Sequence, residues 1–134
     1  MPVRFFDSNV VLYSASSDVR KLERSTQLLE EGGYTSVQVL NEVALVTQRK
    51  MQYDWRRTLS FLHTIRGLVV VADLLLIDHE TAMAVAQRYR LAIYDAMIVA
   101  TALRLNCEIL LSEDMHDGLL IDGRLRISNP FDAA

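Results

Sequence analysis

The chain has 134 residues, a length that predicts one domain over residues 1–134 with enough core to fold without a disulfide or structural metal. Fourteen basic residues face 17 acids for a net charge of −3, which excludes a general nucleic-acid coat protein but leaves room for a nucleic-acid enzyme. Hydrophobic residues make up 51%, which suits a core covered on both sides, yet no run approaches the ~20 apolar residues of a membrane span.

Val3–Phe6 is a short apolar run and predicts a buried strand. A short helix follows from Asn9 to about Tyr13. Asp18 to Glu31 carries Leu22, Leu28 and Leu29 among charges and predicts a helix that Gly32-Gly33 stops. Tyr34–Ser36 predicts a strand, and Ser36 can cap a helix through about Lys50. Trp55 to about Arg66 is amphipathic, with Leu59, Phe61, Leu62 and Ile65. Leu68–Ala72 is β-branched and predicts a strand. Asp78 is expected to cap a helix running to about Arg88. Asp95–Leu105 predicts a helix apolar on almost every side, which must be buried. Cys107–Leu111 predicts a strand, and Leu125–Ile127 a last short one. Alternating strands and helices imply an α/β fold with a largely parallel, helix-covered sheet. Ligands of such sheets bind beyond the carboxyl ends of the strands, near a switch in strand order.

Four acids occupy informative positions. Asp7 ends the first strand, in Phe6-Asp7-Ser8-Asn9. Glu42 shares a helix face with Gln38, Asn41 and Arg49. Asp95 opens the buried helix, and Asp114 follows the strand that ends at Leu111. Each alone is satisfied by a plainer role, as a helix cap, a polar face or a turn. Together they are harder to dismiss, because a parallel sheet brings Asp7 and Asp114 to one edge. Clustered carboxylates raise one another's pKa, and a divalent cation relieves the conflict. Mg²⁺ and Mn²⁺ take oxygen ligands of this kind. His63, His79 and His116 are scattered and expected at the surface, and Cys107 is alone, so no zinc set is available. The lone cysteine and the acid at position 7, which no secretory leader would carry there, lead to the expectation of a reducing cytoplasm.

The ordered set Phe6-Asp7-Ser8-Asn9-Val10, Ser36-Val37-Gln38-Val39-Leu40-Asn41-Glu42-Val43, Tyr94-Asp95-Ala96-Met97-Ile98-Val99-Ala100 and Leu111-Ser112-Glu113-Asp114-Met115 resembles the PIN-domain family of the VapC toxin type. The resemblance runs the length of the chain. It implies a three-layer α/β/α sandwich with a central, largely parallel sheet. It implies a toxin endoribonuclease that uses Mg²⁺ or Mn²⁺ to activate water against RNA phosphodiesters. The family's metal-binding acids fall on Asp7, Glu42, Asp95 and Asp114, with Asp117 a fifth acid that only some members have. Its supporting polar residues fall on Asn9 and Ser112, the latter standing where many relatives have Thr. The resemblance further implies a cognate antitoxin protein and a homodimer. Trp55 and Phe61 are candidates for the antitoxin groove, although the core is the commoner fate of large apolar residues.

RNA phosphates need basic partners, and Arg49, Lys50, Arg56 and Arg57 cluster about one helix end and the next helix start. A solvated charge run is the plainer account. Two Arg near a helix start oppose its dipole, however, which favours a functional role. Setting aside Asp7, Glu42, Asp95, Asp114 and Asp117 leaves 12 acids against 14 basic residues, so the rest of the chain is mildly basic. The alternative function is a non-catalytic PIN-like module that binds RNA or protein. A dehalogenase-type phosphatase would want an acid at position 9, which is Asn, and a receiver domain would want a Lys after its last strand.

Overall fold

The computed structural model describes residues 2–131. Six strands form one sheet in the order β3-β2-β1-β4-β6-β5. These are β1 (Arg4–Phe6), β2 (Tyr34–Ser36), β3 (Val70–Ala72), β4 (Ile109–Leu111), β5 (Leu120–Ile121) and β6 (Leu125–Ser128). Every pairing is parallel except that of β5 with β6. The helices that flank the sheet are α1 (Ser8–Tyr13), α2 (Val19–Glu31), α3 (Val37–Arg49), α4 (Trp55–Leu68), α5 (Leu76–Tyr89) and α6 (Ile93–Arg104). The expected α/β architecture with a largely parallel sheet is therefore the observed one.

The central strands are short and covered on both faces. Phe5, Phe6, Leu110 and Ile127 are fully buried, and each such side chain removed from water contributes roughly 1.5–3 kcal/mol. In α6, every residue from Ile98 to Leu103 is buried, as its all-round apolar sequence requires. α2 ends at Gly32, and Gly33 then lies so close to β1 that a Cβ there would stand 2.8 Å from both the Arg4 carbonyl oxygen and the Phe6 ring. Glycine is required for β2 to start flush against β1.

Capping explains most helix starts. Asp7, Asp18, Ser36 and Asp54 each accept a backbone N–H in the first turn of α1, α2, α3 and α4. Asp78 departs from expectation. α5 starts three residues earlier than such a cap would place it, at Leu76, and Asp78 lies inside its first turn. Its carboxylate accepts from Leu75 N at 3.1 Å and takes Arg104 Nε at 2.7 Å, which joins α5 to α6. α4 also runs on through Leu68, so β3 holds only Val70–Ala72 of the expected Leu68–Ala72 strand. β5 is an addition, a two-residue strand folded back on β6. Cys107 is buried and its thiol is pushed up to about 12 by that burial, which leaves it unreactive.

The strand order reverses at β1. From β1 the chain adds β2 and β3 on one side, and β4 then pairs with β1 on the other. The carboxyl ends of β1 and β4 therefore flank the switch point, where parallel sheets form their ligand crevice.

Candidate active site

Asp7 leaves β1 at this crevice and Ser112–Asp114 leave β4. Their strands are in register, Phe6 opposite Leu111, and Asp7 N donates to Leu111 O at 3.0 Å. The pairing brings residues more than a hundred positions apart into contact. Asp7 is 4% exposed. Its Oδ1 accepts Ser8 N at 2.7 Å, and its Oδ2 accepts the Ser112 hydroxyl at 2.7 Å.

Asn9 is the linchpin of the crevice. Its Nδ2 donates to Asp114 Oδ2 at 3.0 Å and to Asp7 Oδ2 at 3.4 Å, while its Oδ1 accepts Glu113 N at 3.1 Å. One amide therefore holds two acids and the backbone of the loop that carries the second. α1 begins directly after Asp7, so Asn9 sits in the first turn of a helix whose start that acid caps.

Glu42 and Asp95 reach the cluster from α3 and α6. Gln38 links the two helices, donating to Glu42 Oε1 at 3.4 Å and to Tyr94 O at 2.8 Å. Burial, with a smaller push from the charges of Glu42 and Asp95, outweighs the bonds from Ser112 and Ser8 and raises the Asp7 pKa to about 6. Asp95 is raised as well, by burial first and then by Asp114. Charge thus couples Asp7 to Glu42 and Asp95, and Asp95 to Asp114. Among the described residues none of the four has a Lys, Arg or His within salt-bridge distance.

Asp117 bonds elsewhere, its Oδ1 accepting Asn129 N at 2.8 Å just after β6. Arg49, Lys50, Arg56 and Arg57 are exposed around the corner between α3 and α4. Trp55 is 63% exposed there, whereas Phe61 packs half-buried against the core. His63, His79 and His116 are exposed, as expected.

Glu113 carries a feature that sequence reasoning missed. Its carboxylate takes Lys21 Nζ at 2.7 Å and the Tyr13 hydroxyl. Burial pushes the Glu113 carboxyl up, but the Lys21 and Tyr13 bonds outweigh it and hold it below its ordinary value. Glu113 is thereby turned toward α1 and α2, and its neighbour Asp114 is the acid bonded to Asn9. Nothing in the local pattern distinguishes Glu113 from Asp114, because both partners of Glu113 lie about a hundred positions upstream.

The donor chemistry suits a hard divalent cation, with carboxylate and hydroxyl oxygens and no basic side chain among them. Among the described residues no three His, Cys, Asp or Glu side chains stand close enough to hold a metal on their own. A cation here would complete its shell with water or substrate oxygens, as Mg²⁺ ordinarily does.

The family model of the PIN domain matches residues 4–116. Among solved structures, a toxin–antitoxin complex from Klebsiella pneumoniae is 24% identical, with a TM-score of 0.71 over 95% of this chain and 97% of that one. A VapBC complex from Rickettsia felis, bound to a DNA fragment from its promoter, is 16% identical with a TM-score of 0.71 over 95% and 98%. A Sarcin-Ricin-loop-cleaving VapC toxin from Mycobacterium tuberculosis is 17% identical with a TM-score of 0.63 over 80% and 86%. No curated protein matches the sequence. No helix among the described residues is long and apolar enough to cross a membrane.

Proposed function

Given that the chain belongs to the PIN-domain family, we propose that it is a Mg²⁺- or Mn²⁺-dependent endoribonuclease and the cytoplasmic toxin of a toxin–antitoxin pair. The observation that carries this reading is the buried carboxylate of Asp7, without a basic partner and beside three further acids at the switch point of the sheet. Asp7, Glu42, Asp95 and Asp114 are the ligands in this reading, and Asp117 is an outlying candidate.

A bound divalent cation supplies charge against the scissile phosphate and makes a water nucleophilic at neutral pH. The chain's own residues prepare that site. The Ser112 hydroxyl fixes one oxygen of Asp7, and the Ser8 amide fixes the other. Asn9 keeps Asp114 turned toward Asp7, and Gln38 holds Glu42 against the first turn of α6. Such outer-shell bonds fix ligand orientation and are worth 10–100-fold in metal affinity or activity, as an order of magnitude. Arg49, Lys50, Arg56 and Arg57 provide phosphate contacts for the RNA.

The neighbours from Klebsiella pneumoniae and Rickettsia felis are toxin–antitoxin assemblies, which supports an antitoxin partner here. A groove of about 680 Å³ between α3 and α4, lined by Leu40, Leu59 and Leu62 with Arg66 and Asp73 at its rim, suits an amphipathic antitoxin segment. The exposed run Leu74–Ile77, with Ile93 and Tyr94, is the surface for a homodimer.

Protein freed of its antitoxin should cleave RNA with Mg²⁺ or Mn²⁺, stop in EDTA, and lose cleavage in a folded Asp95→Ala variant. Intact tRNA, rRNA and mRNA after incubation with either metal would overturn the reading. One observation bears on the non-catalytic alternative: among the described residues no three acids stand within gripping distance of one metal. Calorimetric titration with Mn²⁺ separates the two: heat that disappears in Asp95→Ala excludes a scaffold with no use for the cation.

A further inference from the structure

The corner between α3 and α4 is built more firmly than a connecting loop needs to be. Tyr53 N donates to Thr47 O at 2.9 Å, and Gln48 Nε2 donates to Tyr53 O at 3.1 Å, so both backbone polar groups of Tyr53 are tied to α3. Behind them the fully buried Thr47 and Thr58 hydroxyls bond each other at 2.9 Å, which joins α3 to α4. Gln52 adopts φ +55, a left-handed conformation uncommon for a residue with a side chain. The surrounding bonds hold it there.

This rigid corner displays one stacked pair. The guanidinium carbon of Arg57 lies 3.9 Å from the centroid of the Tyr53 ring. The pair forms a partition between two open clefts, since both residues line a cleft of about 430 Å³ on one side and another of about 500 Å³ on the other. The first cleft is also walled by Tyr13, Leu12 and Met51, and no carboxylate lines it. In the second, Asp54 is occupied in capping α4 through Arg57 N at 2.8 Å.

The first cleft shares α1 with the acids. Tyr13 is the last residue of α1, the helix that Asp7 caps, and its hydroxyl bonds Glu113 beside Asp114. Six helical residues span about 9 Å, so the cleft opens one short helix from the proposed reaction centre.

We propose that the Tyr53–Arg57 pair and the Tyr13-walled cleft are a nucleobase subsite, which takes an unpaired base of single-stranded RNA close to the scissile bond. Unpaired bases are recognised by stacking on aromatic rings and Arg planes, with cationic side chains tracking the backbone. Arg49, Lys50 and Arg56 supply those charges around the corner. A preformed stack on a pinned backbone spares the ordering cost that a mobile loop would incur on binding. The proposal rests on the endoribonuclease reading for its substrate, but its test does not depend on cleavage.

Binding of a fluorescent, unstructured RNA oligonucleotide is measured in EDTA, where no cleavage occurs. Tyr53→Ala should weaken binding at least about fivefold and Tyr53→Phe should restore it, because stacking needs the ring and not the hydroxyl. Arg57→Gln tests the same platform on an exposed side chain, and should lower the slope of log affinity against log salt by about one. Replacing one base by an abasic residue should erase the difference between wild type and Tyr53→Ala at the position that occupies the cleft. Wild-type affinity in both Tyr53→Ala and Arg57→Gln overturns the subsite, whether the corner then serves a protein partner or none. RNA cleaved with metal but bound normally by the variants removes the subsite and leaves the nuclease. Tyr53-dependent binding without cleavage does the reverse.

Discussion

Asp7 and Asp78 are both almost fully removed from solvent, at 4% and 1% exposure, and the protein treats them in opposite ways. Asp78 meets Arg104 through both oxygens, at 2.7 and 3.1 Å, and accepts the Leu75 amide as well. Its charge is answered where it lies, and the result is a joint between α5 and α6. Asp7 receives a hydroxyl, a side-chain amide and a backbone amide, but the charges that act on it are those of Glu42 and Asp95. A buried acid with a cation of its own is architecture. A buried acid with other acids beside it carries a charge that only a proton or a cation from solution can answer.

The largest expected effect tests the answered acid. Arg104→Leu leaves Asp78 buried without its partner, and breaking a buried pair in this way costs about 3–5 kcal/mol. Thermal unfolding should show that loss, and the double variant Arg104→Leu/Asp78→Leu should recover much of it. A single Arg104→Leu variant that melts with the wild type would erase the distinction between the two aspartates.

The next effect has the opposite sign on stability. In the metal-free protein the Asp7 pKa stands at about 6 against an ordinary 3.8. The stability linked to this group is fully present below about pH 4 and is lost as pH rises through 6. That loss approaches 3 kcal/mol, at about 1.4 kcal/mol per pH unit. Asp7→Asn should therefore raise the melting temperature in EDTA at pH 8 and leave it little changed at pH 4, while RNA cleavage falls by more than about a hundredfold. Mn²⁺ should stabilise the wild type at pH 8 and not the variant. Equal melting of variant and wild type across this pH range would show that Asp7 carries no unmet charge.

The smallest effect concerns orientation. Asn9→Ala removes the amide that joins Asp7, Asp114 and the Glu113 backbone. Cleavage and Mn²⁺ affinity should fall together by about 10–100-fold, with stability little affected because Asn9 is only half-buried. A loss of cleavage with unchanged Mn²⁺ affinity would place Asn9 elsewhere in the reaction.

The two aspartates also differ in how legible they are. Asp7 stands at the end of an apolar strand, and topology carries it to the switch point with no need to know its partners. The acid after β4 is legible for the same reason. Asp78 reads as an ordinary cap, because its real partner lies 26 residues away on a helix whose sequence only signals burial. The Lys21–Glu113–Tyr13 group is invisible for a like reason, depending on the packing of α1 and α2 against the β4 loop. β5 escapes because two residues are too few for any alternation to register. Tyr34–Ser36 and the Ser36 cap are legible in full, since β-branching and capping are local properties.

The unmet charge on Asp7 also has a consequence for heredity. Aspartate becomes asparagine by a single base change, and at this position the change should silence the chemistry while making the empty protein sturdier. A silenced copy of this gene would therefore not be cleared as a misfolded product. Under the proposed toxin reading it would persist as an intact molecule and go on occupying the antitoxin.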